Sequence, residues 1–278
     1  MPTQSGTVNV VVALADEARP LVDHLSLRSE ANHQPFRVYN GAGMRLIVCG
    51  VGKLAAAAAV GYLYRYGNNS GNEAWLNVGI AGHATLPQGA IRLVHKVIDE
   101  SSGNCWFPSR IVSSDCDSCE IRCVDRPEEE YVGNTLVDME SAGFTGATSR
   151  LAKTELVQLL KIVSDNRQSP ASQLSRGFVR GLISQHMGVV ERTVALLRDL
   201  SSDQIGRSAP GTELESFRAR WHFTATQTSQ LRELLRRWQA LRPDELAIGT
   251  VGDRPTSRSA LEALRLTLDQ TAVRIAPK

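Results

Sequence analysis

Short apolar runs alternate with amphipathic stretches along the first two thirds of the chain. Residues 8–15 (VNVVVALA) form a β-branched run that is typical of a strand buried on both faces. Residues 16–25 (DEARPLVDHL) then change to helical chemistry, with two acids in the first turn. Residues 50–67 (GVGKLAAAAAVGYLYRYG) place two glycines ahead of an alanine-rich stretch of strong helix propensity. The pattern therefore predicts strands that lead into helices.

Other apolar or alternating segments predict further strands. In residues 36–50, two such segments flank Asn40 and Gly41, the preferred dipeptide of a tight hairpin, so we expect two antiparallel strands there. The remaining strand segments are residues 74–84, 90–99, 135–139 and 155–166. Acids and glycines gather where these strands end. Strands alternating with helices in this way indicate a three-layer α/β fold, and its ligand site is expected at that edge of the sheet.

Beyond about residue 180 the chain becomes helical in character. Residues 177–200 are amphipathic, residues 201–213 (SSDQIGRSAPGTE) are typical of a polar linker, and two more helical stretches follow at 214–241 and 257–270. We therefore expect a first domain over residues 1–200 and a helical C-terminal extension over residues 201–278.

Composition narrows the class of protein. The chain has 278 residues, of which 42% are hydrophobic and 22% charged, enough for one large globular domain with an extension. Lys and Arg number 31 against 29 Asp and Glu, and a net charge of +2 selects neither nucleic acid nor a membrane as partner. The N-terminus lacks the pattern of an export signal, and no apolar run approaches the ~18–20 residues of a membrane span. We expect a cytoplasmic location.

The five cysteines permit two interpretations. Cys116, Cys119 and Cys123, with Cys105 upstream, could supply thiolates for zinc or an iron–sulfur cluster. However, residues 119–124 (CEIRCV) also alternate as a strand with half-buried thiols, and no second Cys-x2-Cys follows. The second interpretation is favoured, so no metal and no disulfide framework is expected.

Two other motifs invite functional interpretations that the spacing does not support. GVGK at 50–53 lacks the full spacing of a phosphate-binding P-loop, and Lys53 is followed by Leu54 rather than by Ser or Thr. Residues 217–241 interleave arginines with Trp221, Phe223 and Trp238, as a nucleic-acid surface can. Leucines at helical spacing favour instead an amphipathic packing helix whose arginines face water, so no nucleic-acid partner is expected.

Five pieces in one order resemble the purine nucleoside and uridine phosphorylase superfamily. They are ALADEA (13–18), GVGKLAAA (50–57), NVGIAG (77–82), VDMESAG (137–143) and IVSDN (162–166). The resemblance covers roughly residues 8–195 and is closer to the hydrolytic branch, the methylthioadenosine/S-adenosylhomocysteine nucleosidases. It implies a three-layer αβα fold of the phosphorylase/hydrolase type, with a mixed central sheet. The helical extension has no counterpart in the small nucleosidases, which indicates a divergent subfamily.

The resemblance also implies roles for individual residues. Met139 would pack against the ribose, and Glu140 would accept hydrogen bonds from its hydroxyls. Asp165 would be the acid near purine N7, and Glu17 would activate the attacking water. The glycine turn in the strand segment 74–84 would line the pocket beside the sugar and the base. Its residues are Gly79, Ile80, Ala81 and Gly82. Members of the family commonly use a neighbouring subunit to close the pocket, so a homodimer is expected here. No metal or organic cofactor is expected.

The chemistry fits these residue types independently of the family. Cleavage of an N-glycosidic bond passes through an oxocarbenium-like state, which calls for an acid on the leaving base and a carboxylate that deprotonates water. Asp165 must hold a proton to serve as the acid, and an apolar strand end can favour that state. Asp16 is a rival to Glu17, since helix starts are rich in acids. The expected activity is hydrolysis of a purine nucleoside or a 5′-modified relative such as methylthioadenosine or S-adenosylhomocysteine.

Two alternatives stay open at the level of sequence. Phosphorolytic relatives carry arginines and a hydroxyl residue where this chain has Glu17, Asn77 and Ile80, which disfavours phosphate as the nucleophile. Arg19 lies close enough to Glu17 to keep a phosphorylase possible. A nucleoside-binding protein without activity is the other alternative, because the segment 105–131 does not align with the base-recognition segment of the family and His83 adds bulk beside the glycine turn.

Overall fold

The computed structural model describes residues 6–30, 35–41, 43–67, 71–110, 116–128, 131, 133–208, 211–242 and 244–271. The chain divides into two compact units, Met1–Asp203 and Gln204–Lys278. None of the helices within these described ranges is both long enough and apolar enough to cross a membrane.

The first unit is built on a mixed sheet. Its strands are β1 (Val8–Val12), β2 (Arg28–Ser29), β3 (Arg37–Gly41), β4 (Met44–Val48), β5 (Ala74–Gly82), β6 (Ile91–Asp99), β7 (Cys105–Trp106), β8 (Ser118–Cys123), β9 (Leu136–Asp138) and β10 (Val157–Asp165). They pair in the order β10-β6-β8-β9-β5-β1-β4-β3-β2, with β7 beside β6. Because β5 also pairs with β10, the strands β5, β10, β6, β8 and β9 close into a ring, from which β1, β4, β3 and β2 extend.

Helices follow the strands on both faces of this sheet. They are α1 (Ala15–His24), α2 (Lys53–Tyr66), α3 (Ser141–Thr148), α4 (Arg176–Gln185) and α5 (Met187–Ser208), with short 3-10 turns at Thr154–Leu156 and Ala171–Gln173. The alternation of side chains along β1 explains the layering, since Val10 packs into the core beneath α1, α4 and α5 and Val11 into the core beneath α2 and α3. The predicted three-layer α/β fold with a mixed sheet is confirmed.

Three strand ends meet at one edge of the ring. Asp165 at the end of β10 lies opposite Gly82 at the end of β5, and Gly82 in turn lies opposite Val137 of β9. Val163 pairs with Ala81, so Ser164 is an extra residue in a β-bulge. A bulge re-aims the side chains beside it. The bulge therefore helps to set the direction of the Asp165 side chain.

The second unit is helical and has a core of its own. Its helices are α6 (Gly211–Arg220), α7 (Ala225–Leu241), α8 (Ala247–Val251) and α9 (Ser257–Gln270). Thr224 caps α7 and Thr256 caps α9, each through its side-chain oxygen. Trp221 and Trp238 are buried and donate their indole N–H groups to backbone carbonyls, while the arginines of α7 face solvent. This is the packing role that the leucine spacing predicts for α7.

Two local predictions are wrong in detail. The hairpin forms between β3 and β4, but Asn40 and Gly41 belong to β3 itself and pair with Arg45 and Met44. The turn therefore comes after Gly41, and Gly43 takes the left-handed conformation with φ +73°. The polar stretch expected as a linker is mostly helical, since α5 continues to Ser208 and α6 begins at Gly211. Ser201 donates its hydroxyl to the carbonyl of Asn72, and Ser202 accepts the N–H of Gly6, so both serines have partners within the first unit while their backbone stays helical.

Candidate active site

One cavity gathers residues from every predicted site segment. It measures about 180 Å³ and opens at the edge where β5, β9 and β10 end. Every predicted site residue except Gly79 lies in its wall, namely Glu17, Ile80, Ala81, Gly82, Met139, Glu140 and Asp165. Gly79 lies behind the wall, where a Cβ atom would stand 3.0 Å from Glu17 Oε1. Segments far apart in sequence therefore contribute to a single cavity.

Glu17 lies in the first turn of α1, with its carboxylate turned back toward the end of β1. Its Oε2 atom accepts hydrogen bonds from the backbone N–H groups of Ala13 (2.9 Å) and Leu14 (2.8 Å). Its Oε1 atom accepts one from the N–H of Ile80 (2.9 Å). The side chain is buried, and this desolvation raises the pKa of Glu17 despite those three bonds and the nearby Lys161. Asp16, the rival acid, forms an ion pair with Arg180 instead.

Glu140 follows β9 and lies at the start of α3. Its Oε1 atom accepts a hydrogen bond from the N–H of Gly52 at 2.8 Å. Gly52 has φ +108°, a conformation that L side chains rarely adopt, so the glycine before α2 lets this N–H reach the carboxylate. Burial and the neighbouring Asp138 raise the pKa of Glu140 to about 7. Met139 lines the same cavity next to it.

A buried ion pair lies beside these carboxylates. Lys161 of β10 is 1% exposed, and its Nζ atom lies 2.8 Å from Asp138 Oδ2. Asp138 also accepts hydrogen bonds from the N–H and hydroxyl of Ser141. Burial acts to lower the pKa of Lys161, but attraction to Asp138 and the other carboxylates outweighs it and the pKa is raised. Three buried carboxylates, Glu17, Asp138 and Glu140, thus share one buried ammonium group.

Asp165 is held by hydroxyl groups. Ser164 donates its hydroxyl to Oδ1, and Tyr131 donates its phenol to Oδ2. The backbone carbonyl of Asp165 accepts the N–H of His83 at 3.0 Å. Asp165 is 6% exposed and forms part of the cavity wall.

Three residues weighed in the sequence lie outside the cavity wall. Asn77 is buried and donates to the carbonyl of Val11 (2.9 Å), so it joins β5 to β1. His83 is buried, and its Nδ1 atom accepts the N–H groups of Thr85 and Leu86, so it stabilises the turn after β5. Arg19 is exposed and forms an ion pair with Asp23 at 2.7 Å.

Lys53 of the GVGK segment is also occupied within the fold. Its ammonium group lies 2.8 Å from Asp99 and 2.8 Å from Asp125. Asp99 ends β6 and Asp125 follows β8, so the ion pairs fix the start of α2 to that edge of the sheet. The lysine is thus an anchor for α2, and its bonds explain the motif without a phosphate.

The cysteines lie where the alternating pattern puts them. Cys119 and Cys123 are buried on one face of β8, Cys105 is exposed and Cys116 is partly buried. Within the described ranges, no group of three His, Cys, Asp or Glu residues could hold a metal ion.

Sequence reasoning missed three residues of the site. Lys161 is a lysine inside an otherwise apolar strand, and that anomaly is a signal that could have identified it. Asp138 lies in the VDMESAG piece and is one of the acids that end a predicted strand, but it was given no role there, and Tyr131 gave no signal. The pairing of Asp138 with Lys161 and the contact of Tyr131 with Asp165 arise only from the ring of strands and from the segment that leads into β9.

Comparisons with known proteins agree with this architecture. No protein-family model matches the sequence, and no curated protein sequence matches it. Among solved structures, 5′-methylthioadenosine/S-adenosylhomocysteine nucleosidase from S. pneumoniae matches 68% of this chain and 98% of its own, with a TM-score of 0.55 and 16% identity. The 5′-methylthioadenosine nucleosidase of Arabidopsis thaliana matches 71% and 99%, with a TM-score of 0.59 and 16% identity.

A third solved structure with a similar fold is that of an enzyme named for a different substrate. Futalosine hydrolase from Helicobacter pylori matches 69% of this chain and 98% of its own, with a TM-score of 0.58 and 11% identity. The chain therefore shares the fold of these nucleosidases, as the ordered sequence pieces predicted.

Proposed function

We propose that the protein hydrolyses the N-glycosidic bond of a purine nucleoside or of a 5′-modified nucleoside such as methylthioadenosine or S-adenosylhomocysteine. One observation carries the proposal: Glu17, Glu140 and Asp165, which come from three separate segments, line the same cavity at the edge of the ring. The reaction needs a base for water, a sugar-binding group and an acid for the leaving base. The likeness in fold to nucleosidases supports the same assignment.

Glu140 is suited to bind the ribose hydroxyls. Its Oε1 atom is occupied by the N–H of Gly52, which fixes the orientation of the carboxylate. None of the described residues bonds to its Oε2 atom, so this oxygen can accept hydrogen bonds from the sugar. Met139, next in the wall, supplies an apolar surface against the ring of the sugar.

Glu17 is suited to accept a proton from water. A carboxylate has about four acceptor positions. Three are used by backbone N–H groups, two on Oε2 and one on Oε1, which leaves a position on Oε1 for a water molecule. The three bonds fix the carboxylate, and burial raises its pKa, which strengthens it as a base.

Asp165 is suited to protonate the leaving base. In this mechanism the C1′–N bond breaks as the Asp165 proton passes to purine N7, and water adds to C1′ as its proton passes to Glu17. Positive charge develops on the sugar in the transition state. Carboxylates near the sugar stabilise that charge, and three of them, Glu17, Asp138 and Glu140, lie around the single ammonium group of Lys161.

The same geometry favours water over phosphate as the nucleophile. Among the described residues that form the cavity wall there is no arginine, lysine or histidine, whereas Glu17, Glu128, Asp138, Glu140 and Asp165 all contribute to it. Phosphate would be repelled by such a wall and would find no bidentate donor. Arg19, the residue that kept a phosphorylase possible, is exposed and paired with Asp23.

The proposal is tested by measuring base release from a nucleoside panel, with and without phosphate. The panel contains methylthioadenosine, S-adenosylhomocysteine, adenosine, inosine, futalosine and uridine. Release of a purine base that does not depend on phosphate is expected, and the best substrate identifies the 5′ group. Release only in the presence of phosphate would contradict the hydrolytic assignment. A nucleoside that raises the melting temperature of the protein but releases no base would favour the nucleoside-binding alternative.

We also propose that the protein is a homodimer. Three large apolar side chains are exposed near the start of α2 and after β7: Val51 (55%), Leu54 (83%) and Phe107 (64%). Val51 also lines the cavity, so a second copy seated there would border its mouth. Leu54→Glu should shift the mass measured by light scattering from dimer to monomer. A wild-type protein that is monomeric at high concentration would contradict this proposal.

A further inference from the structure

Tyr131 occupies the part of the cavity next to Asp165. It lies between β8 and β9 and is 2% exposed, packed in a small apolar cluster with Ala84, Val124 and Val137. Its backbone carbonyl accepts a hydrogen bond from Arg167 Nη2 at 2.6 Å. The side chain is therefore held from both ends, by its backbone and by its hydroxyl.

The ring of Tyr131 lies directly on Gly82. A Cβ atom on Gly82 would stand 2.4 Å from Tyr131 Cε1 and 2.7 Å from Asp165 Oδ2, closer than real contacts allow. Gly82 is also the residue opposite Asp165 across β5 and β10. The aromatic ring, the glycine and the acid thus form one tight group on the wall of the cavity.

The Tyr131 phenol bonds to the second carboxyl oxygen of Asp165. Ser164 bonds to Oδ1 and Tyr131 to Oδ2, so both carboxyl oxygens already take a hydroxyl donor. In the proposed reaction one of these oxygens must carry a proton and give it to the leaving base. Ser164 adjoins Asp165 in the bulge of β10, whereas Tyr131 comes from a different segment and lines the cavity. The phenol is the partner that a bound base would replace.

We propose that Tyr131 is an internal competitor of the leaving base, whose ring fills part of the base subsite and whose hydroxyl takes the hydrogen bond that the base would take. This inference rests on the proposed function and identifies a residue that limits the affinity of that site. A ligand that must displace such a group has an apparent Kd equal to its intrinsic Kd divided by the fraction of protein molecules in which the group has already moved away. The cavity volume supports a partly filled base subsite, since 180 Å³ is below the ~300–1,000 Å³ of typical small-molecule sites.

The test is calorimetric binding of adenine to the full-length wild type and to Tyr131→Phe. The variant keeps the ring and loses only the hydroxyl, and a typical hydrogen bond corresponds to roughly 2- to 12-fold in an equilibrium constant. Adenine should therefore bind Tyr131→Phe several-fold more tightly. Tyr66→Phe is a matched control, because the Tyr66 hydroxyl also donates to a carboxylate, that of Glu30 at 2.7 Å, but lies outside the cavity wall. Its adenine affinity should equal that of the wild type.

Each other result overturns the proposal in a recognisable way. Equal adenine affinity in wild type and Tyr131→Phe, or no binding to either, would show that the phenol does not compete. Weaker binding to the variant would make Tyr131 a residue that supports the base. With a cleaved nucleoside, a lower KM and undiminished kcat are expected, whereas a fall in kcat at unchanged KM would place the hydroxyl in proton transfer. Adenine binding needs no turnover, so failure of this inference is distinguishable from failure of the hydrolytic assignment.

Discussion

The Glu140 carboxylate makes stability depend on pH in a way that can be calculated from the structure. Burial and the charge of Asp138 raise its pKa from 4.5 to about 7 in the folded protein. Below pH 4.5 the group is protonated both folded and unfolded, so it has no effect. As pH rises from 4.5 to about 7, the unfolded chain ionises Glu140 while the folded state still holds the proton, so the folded state loses stability, and above pH 7 the loss is complete. The wild type therefore loses about 3 kcal/mol of unfolding free energy from Glu140 over this window.

Glu140→Gln removes this titration while the glutamine oxygen can still accept the N–H of Gly52. The difference in unfolding free energy, variant minus wild type, should therefore rise by about 3 kcal/mol between pH 4 and pH 8. Urea unfolding at a series of pH values measures it, and the titrating groups that do not interact with Glu140 cancel in the difference. A difference that is constant with pH, or that falls as pH rises, would refute the reasoning. The variant should also lose affinity for the ribose, whatever its stability.

Three further predictions concern the base, the buried ammonium group and the second unit. Glu17→Gln should lower kcat by about 10²- to 10⁴-fold, and a fully active variant would exclude Glu17 as the base. Lys161→Met should destabilise the fold by about 3–5 kcal/mol in urea unfolding, because Asp138 is left buried and unpaired; Lys96→Met, at the partly exposed pair with Glu120, should cost under about 1 kcal/mol. A fragment spanning 204–278 should show helical circular dichroism and a cooperative thermal transition, since it has its own core; a featureless spectrum would contradict that.

The predictable part of the fold is the part that local patterns decide. β1 is recognisable because its valines are buried on both faces, and α2 because Gly52 precedes a run of alanines. The hairpin position was predicted less well, since Asn40 and Gly41 favour a turn by type but are paired into β3 by the register with β4. Tertiary pairing overrode a local preference there, as it did at residues 201–208, where α5 continues through a polar stretch.

The residues of the candidate site also fall into those that local sequence patterns predicted and those that they did not. Glu17, Met139, Glu140 and Asp165 end or follow strands, and a sheet edge brings such positions together, so their gathering was foreseeable. Lys161 and Tyr131 were not foreseen, because their contacts with Asp138 and Asp165 depend on how β8, β9 and β10 close the ring. Their roles, like those of the predicted residues, stay predictions until variants are measured.

The most direct test of the central claim is the rate of base release from the best purine nucleoside in phosphate-free buffer, compared between wild type, Asp165→Asn and Asp16→Asn. Asp16 is a matched control, since it adjoins Glu17 in sequence but is paired with Arg180 away from the cavity wall. The account predicts release by the wild type and by Asp16→Asn, and a loss of at least about 100-fold in Asp165→Asn. Equal rates in all three proteins, or release that requires phosphate, would contradict it.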